Sequence, residues 1–280
     1  MVHMSERHEG IIRRTARKVV YKIPGAKALW QRWIFGKKGV HQFEGWGMTT
    51  EAVPPWRNPR DDTARDFLQV HEALVKEVLA GRFRLAQFDA VNDKEALLYS
   101  LMWRHYIVFW SARYAQTAMG NTLAECGVCD GLTVYFAMKA LGKDHKAFLY
   151  DAWEGMDAQH LLENEHKHLG DYAYLDIEDT KKNLSTFNTI FIKGFIPESF
   201  AGAEKPTGVV WLHIDLNASL PTTDSLRYLF DQIPAGGVVL FDDYAGQAYT
   251  DTKKAVDTFF SNKKGILLPL PTGQAIFFKR

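Results

Sequence analysis

The sequence predicts an α/β protein: a doubly wound, mostly parallel sheet with helices on both faces, preceded by a helical region. Three observations carry this expectation. From Asn121 onward, short apolar runs alternate with helix-length segments, the rhythm of parallel βαβ units. Glycines such as Gly127, Gly131 and Gly142 sit where those runs hand over to one another. Acidic residues gather at the ends of the apolar runs, as in Val238–Tyr244, "VVLFDDY", and ligands of such sheets bind beyond the carboxyl ends of the strands.

The elements follow in order. Apolar residues at Phe67, Leu68, Leu74, Val75, Val78 and Leu79, with Gly81 as a stop, predict a helix over 62–80. Residues 94–118, rich in Leu, Trp and Tyr, read as one longer helix. Then "TLAECG" is a strand and "DGLTVYFAMKALG" a helix closed by Gly142; "KAFLYD" is a strand and "MDAQHLLENEHKHLG" a helix. "NTIFIKG" and "VVWLHIDL" are strands, "TTDSLRYLFDQI" a helix, "GVVLFDDY" a strand and "TDTKKAVDTFFSNK" a helix. The last residues, "GILLPLPTGQAIFFKR", form two strands joined at Pro271–Gly273, an antiparallel C-terminal hairpin that completes a seven-stranded sheet.

The chain has 280 residues, 46% of them hydrophobic and 24% charged, ordinary values for one large domain or a domain with an appendage. Its net charge of +1 offers no bulk attraction for nucleic acid. No apolar run reaches bilayer length, and the basic first residues lack the apolar block of a secretory signal. A cytoplasmic protein without a membrane span is expected. Arg13, Arg14, Arg17, Lys18 and Lys22 are interleaved with Ile12, Val19, Val20 and Ile23, which predicts a surface helix with one buried side, the alternative being a basic amphipathic helix against a membrane or partner. The boundary is placed at residue 100, with a helical extension over 1–100 and a sheet domain over 101–280.

Candidate site residues lie at the strand ends. Glu125 to Thr133, "ECGVCDGLT", is a strand-to-helix turn whose glycines allow close backbone approach and whose helix start offers free N–H groups to an anion. Asp151, at the end of the next strand, is placed to accept the two hydroxyls of a ribose. Asp215 ends one strand and Asp242-Asp243 end another. Carboxylates crowded beside a core are unfavourable unless a positive charge sits among them, and an all-oxygen set favours Mg²⁺ over zinc. His213 shares the side of Asp215 and is expected to be a hydrogen-bonded core histidine. His160, His166 and His168 are expected to be solvated. Cys126 and Cys129 form a CxxC at the turn; alternation buries Cys126 and aims Cys129 at the ligand, and redox or zinc chemistry is disfavoured because no second pair exists.

Together, "AECGVCDGLT", "YDAWEG", "FIKGFIPES", "LHIDLN…PTTDSLRYLFDQIPAGGVVLFDDYAG" and "PTGQAIFFK" resemble class I S-adenosylmethionine-dependent methyltransferases. More narrowly they resemble the macrocin O-methyltransferase family, over about residues 110–280. The resemblance implies a Rossmann-like sheet and transfer of a methyl group to a hydroxyl of a sugar or polyol in natural-product biosynthesis. It implies that Glu125, Gly127, Gly131 and Thr133 line the methionine end of S-adenosylmethionine, with Cys129 touching it. Asp151 would hold its ribose and the loop from Gly194 would border its adenine. Asp215, Asp242 and Asp243 match the metal ligands, with Asp215 also beside the cofactor. Two positions depart from the pattern: Asn217 stands where the sugar-modifying enzymes carry a second Asp, and Ala218 stands where catechol O-methyltransferases carry a lysine base.

For the reaction, a metal-bound hydroxyl needs only a modest base, and Asp215 or His213 is expected to take its proton. The partner is a small-molecule acceptor. The aromatic-rich front, including Trp46 and Trp56, is expected to form a lid, an acceptor-pocket wall or a homo-oligomer contact. Two rivals share parts of this pattern: an NAD(P)-dependent oxidoreductase, and an S-adenosylmethionine-binding module without catalysis.

Overall fold

A computed structural model describes residues 53–57, 59, 61–246 and 249–280. The expectations for Arg13–Ile23 and Trp46 lie outside those residues. Residues Pro55–Arg280 form one compact unit, so it takes in residues 55–100 of the expected extension.

The unit opens with α1 (Asp62–Leu79), which starts where the Asp61 side chain accepts the Ala64 N–H at 2.8 Å and ends before Gly81 at φ +67. Phe67, Leu74, Val75 and Val78 are its buried stripe. The single helix expected over 94–118 is two: α2 (Lys94–Ser100) and α3 (Met102–Ala115). The chain turns at Leu101, whose N–H bonds back to the carbonyls of Leu97 and Leu98. No Gly or Pro marks that turn, so local sequence does not reveal it. Trp56 packs edge-on to Trp103 and against Phe67 and Tyr106, an aromatic cluster joining α1 to α3.

The sheet begins with β1 (Thr122–Cys126), and α4 (Leu132–Leu141) follows. Then come β2 (Lys146–Asp151), α5 (Ile177–Asn183), β3 (Thr189–Lys193), β4 (Val209–Ile214) and α6 (Ser219–Leu229). The chain finishes with β5 (Val238–Phe241), α7 (Thr250–Phe260), β6 (Gly265–Pro269) and β7 (Ala275–Lys279). Spatial order is β3-β2-β1-β4-β5-β7-β6 in a seven-stranded sheet. β1 to β5 pair in parallel, and β7 runs antiparallel to both β5 and β6. The sheet is thus the mixed, Rossmann-like one expected from sequence. One apolar cluster joins one face to α1, α3 and α4; the other joins the opposite face to α6 and α7.

Two local expectations are corrected. The segment Met156–Gly170 is not an α-helix but two short 3₁₀ turns, Ala158–His160 and Glu163–His168. The histidines and acids that suggested a helix there bond locally instead, as Asp157 does to the N–H groups of Gln159 and His160. The helix on that crossover is α5, capped by Asp176 and too short for its periodicity to stand out.

Candidate active site

Asp151 closes the β2 ladder opposite Lys193, whereas Asp215, Asp242 and Asp243 lie one or two residues past theirs. Asp215 N–H still donates to Cys126 O and Asp242 N–H to Ile214 O, so the backbone is held while the side chains belong to the rim. Between β1 and β4 the strand order reverses, the switch point where such sheets bind ligands. A cleft opens there. Glu125 lines it from the end of β1, Gly127 and Cys129 from the turn that follows and Thr133 from the start of α4. Asp151 and Gly194 line it from the ends of β2 and β3, and Asp215 and Asp242 from those of β4 and β5. Gly131, His213 and Asp243 lie behind that lining.

The glycines of the turn serve the fold first. A Cβ on Gly127 would stand 1.8 Å from the Asp215 carbonyl oxygen, and one on Gly131 would stand 2.8 Å from Leu184 Cδ1. Both have positive φ, +86 and +81, as does Cys129 at +51. Asp151 ties the turn down: its Oδ2 accepts the N–H groups of Val128 at 2.7 Å and Cys129 at 2.9 Å, and its Oδ1 accepts that of Trp153 at 2.7 Å. Burial pushes this carboxyl up, and the backbone N–H groups of Cys129, Trp153, Val128 and Ala152 oppose the push. Cys126 is fully buried and Cys129 partly buried on the cleft; both are free thiols. Burial pushes Cys126 up to about 12 and Cys129 well above its ordinary value, so neither is a thiolate at neutral pH.

The acidic rim is more elaborate than a row of carboxylates. His213, Asp215 and Asp242 each offer one ligand atom within 4.8 Å of the others. Asp243 is beside them but turns Oδ2 to the Asn217 N–H at 3.0 Å. Burial and then the charges of Asp242 and Asp243 push Asp215 well above the carboxylate range. Burial and then Asp242 push Asp243 up to about 6. His213 is the core histidine expected: Nδ1 pairs with Glu125 Oε1 at 2.8 Å, and among the described residues Nε2 has no partner. Glu125 Oε2 is likewise buried without a partner.

Sequence reasoning missed three contributors. Arg104, on α3, donates through Nη2 to Asp242 Oδ2 and through Nη1 to Thr272 O at 2.8 Å. Gln274 Nε2 donates to Asp242 Oδ1 at 2.8 Å. A charge inside the apolar run "LMWRHYIVFW" was the available signal for Arg104. The third is His160, which is not solvated but lines the cleft. Its Nδ1 meets Asp157 Oδ1 at 2.6 Å and its Nε2 meets Glu198 Oε2 at 2.9 Å, while its ring stacks on Phe195 with centroids 4.6 Å apart. The departure at Asn217 has a structural role: at φ +53, its amide donates to Tyr172 Oη at 3.0 Å and accepts from Tyr249 Oη at 2.7 Å.

Comparison with known proteins agrees with this layout. A curated relative from Streptomyces olivaceus, 8-demethyl-8-(2,3-dimethoxy-alpha-L-rhamnosyl)-tetracenomycin-C 4'-O-methyltransferase, is 32% identical over 46% of this chain and 55% of its own. The chain thus spans about half the length of that relative. Among solved structures, the O-methyltransferase NovP superposes with a TM-score of 0.60 at 15% identity, covering 78% of this chain and 99% of its own. CalS11, a calicheamicin methyltransferase, gives 0.54 at 14% identity, covering 82% and 99%. At such identities the two structures speak for the fold. The profile of the macrocin-O-methyltransferase (TylF) family matches residues 111–280, which hold the whole sheet and every strand-end residue described above, and the chain belongs to that family.

Proposed function

We propose that the protein transfers a methyl group from S-adenosylmethionine to a hydroxyl of a sugar-like natural product, with a divalent cation, Mg²⁺, at the acidic rim. One observation carries the reading: a single cleft runs from Asp151 past the glycine turn to Asp215 and Asp242. Polar groups at both ends and apolar side chains such as Phe88, Leu132 and Phe195 between them give the cleft the mixed lining of a small-molecule site.

The residues present fit both groups. Glu125 Oε2, buried and unpartnered on the cleft, suits the ammonium of a methionine moiety. Asp151 Oδ1 takes one amide bond and keeps acceptor capacity for ribose hydroxyls. At the rim, three carboxylates meet the guanidinium of Arg104, and among the described residues His213 Nε2 has no hydrogen-bond partner. That charge imbalance suits a hard dication. Asp215, Asp242 and Asp243 would hold it, and His213 offers a ring nitrogen within 4.8 Å of ligand atoms of Asp215 and Asp242.

S-adenosylmethionine supplies an electrophilic methyl on a sulfonium, and a bound dication supplies acidity to the acceptor hydroxyl. The chain does the positioning. Asp151 and the turn fix one end of the cleft, and Asp215 and Asp242 fix the other, so the acceptor oxygen is oriented and most of the rate gain follows from proximity. Asp215, at the end of β4 and lining the cleft, is the group placed to take the acceptor's proton. His213 lies behind the lining and acts through its neighbours.

The test is a methyl-transfer screen with labelled S-adenosylmethionine over rhamnosyl glycosides, other polyols, aminosugars and catechols, with Mg²⁺ or with EDTA. Transfer to a sugar hydroxyl that EDTA abolishes supports the reading in full. Transfer that survives EDTA removes the metal from it, and no transfer to any oxygen acceptor removes the reaction.

A further inference from the structure

Arg104 occupies an unusual place. It comes from α3, outside the strand ends, yet its guanidinium spans two rim elements: Asp242 after β5 and the Thr272 carbonyl in the turn between β6 and β7. The Thr272 hydroxyl donates to Gln274 Oε1 at 2.9 Å, and the fully buried Gln274 donates to Asp242 Oδ1. Asp242 therefore has one oxygen on a fixed amide and the other on a cationic side chain that also lines the cleft. The attraction reaches further, because Asp215 and Asp243 act on Arg104 as well. Arg104 is the positive charge that the crowded carboxylates require when no metal is bound.

Resting on the metal reading above, we propose that Arg104 competes with the divalent cation for Asp242 Oδ2. The guanidinium neutralises the rim of the metal-free protein and gives up that oxygen when the cation arrives. A guanidinium and a dication on the same carboxylate oxygen repel one another in a part-buried site, where screening by water is weak. Gln274 is neutral and holds the other oxygen, so Asp242 keeps its orientation while its partner changes. Arg104 thereby sets how much Mg²⁺ the rim needs before it fills. It also couples that filling to α3 and to the 271–273 turn. A guanidinium released into the cleft becomes available to an anionic group on the acceptor or cofactor.

The probe is Mn²⁺, with free ion followed by electron paramagnetic resonance, titrated into the unaltered full-length protein, Arg104→Gln and Arg104→Lys. Competition predicts that Arg104→Gln binds Mn²⁺ at least about tenfold more tightly than the unaltered protein. Arg104→Lys keeps the charge but cannot bridge Asp242 and Thr272 with a planar fork, so it falls between the two. Binding by Arg104→Gln alone is the extreme form of the same result. Equal or weaker Mn²⁺ binding in Arg104→Gln overturns the inference while leaving the metal reading intact. Absence of binding in all three overturns both. Thermal melting of each variant establishes that it is folded, and if Arg104→Gln is not, a Lys variant no tighter than the unaltered protein is sufficient to overturn the proposal.

Discussion

His213 Nδ1 lies 2.8 Å from Glu125 Oε1, and each side chain is 1% exposed. The two residues face each other across the parallel register of β4 and β1. The pair anchors the floor of the site: it fixes the imidazole that lies beside Asp215 and Asp242. Removing one partner strands the other in a site that water does not reach. Glu125→Ala removes the ring's partner and leaves a cavity, and is therefore expected to cost about 2–4 kcal/mol. Glu125→Gln, which keeps a hydrogen bond to the ring, should cost about 1–2 kcal/mol. Urea unfolding at pH 7 measures both, and equal losses would deny that the hydrogen bond to the ring matters here.

The two glycines of the turn predict different outcomes. Gly127→Ala sets a methyl against backbone, the Asp215 carbonyl, at positive φ, and is expected to destabilise by more than about 4 kcal/mol. Gly131→Ala meets the movable end of Leu184 and should cost about 1–3 kcal/mol. Yield of folded protein and melting temperature separate them; a mild Gly127→Ala would contradict the described packing of β1 against the end of β4.

Asp151 accepts backbone N–H groups through both oxygens. An asparagine there must aim its NH₂ at an N–H donor on one side or the other. Asp151→Asn should loosen the turn and weaken S-adenosylmethionine binding by about tenfold or more, equivalent to the loss of roughly one charge-assisted bond. Isothermal titration reads this directly. Unchanged affinity would mean that Asp151 serves only the turn.

The bridge Asp157–His160–Glu198 predicts a pH response at the Gly194 side of the cleft. Burial lowers the pKa of His160, but bonds to the two carboxylates outweigh it, so the net shift is upward; Asp157 and Glu198 are shifted down. The contribution of His160 is therefore complete below its unfolded value and is lost as pH rises through the raised one. That of the carboxylates is present above their unfolded values and is lost as pH falls through the lowered ones. The bridge is strongest in between, around pH 5–6. Hydrogen exchange at residues 157–160 and 195–200 should accelerate from pH 6 to pH 9, beyond the intrinsic rate, by about fivefold or less, since water reaches Glu198. His160→Gln should abolish that excess. An excess that persists in the variant assigns it to another group.

The α/β rhythm was legible because each of its signals is local. Parallel strands buried on both faces are continuous apolar runs, glycine marks the turns, and the acids at Asp151, Asp215 and Asp242 stand beside them in the chain. The turn at Leu101 and the 3₁₀ turns near His160 were not legible, since they depend on hydrogen bonds that no periodicity records. The same holds for side-chain partners. Asp215, Asp242 and Asp243 converge because β4 and β5 are neighbours, an inference topology allows; which oxygen faces which donor is settled only by packing.

By itself, then, the sequence determined the order and kind of the sheet elements and the acidic rim they carry, because strand, turn and strand end are written within a few residues of one another. Tertiary structure alone decided that Arg104 bonds Asp242 across 138 residues, that His213 pairs with Glu125 across 88 and that His160 reaches Glu198 across 38. Such contacts depend on the distance and direction at which packed elements deliver their side chains. The hydrophobic core sets both, and no stretch of chain near either partner encodes them.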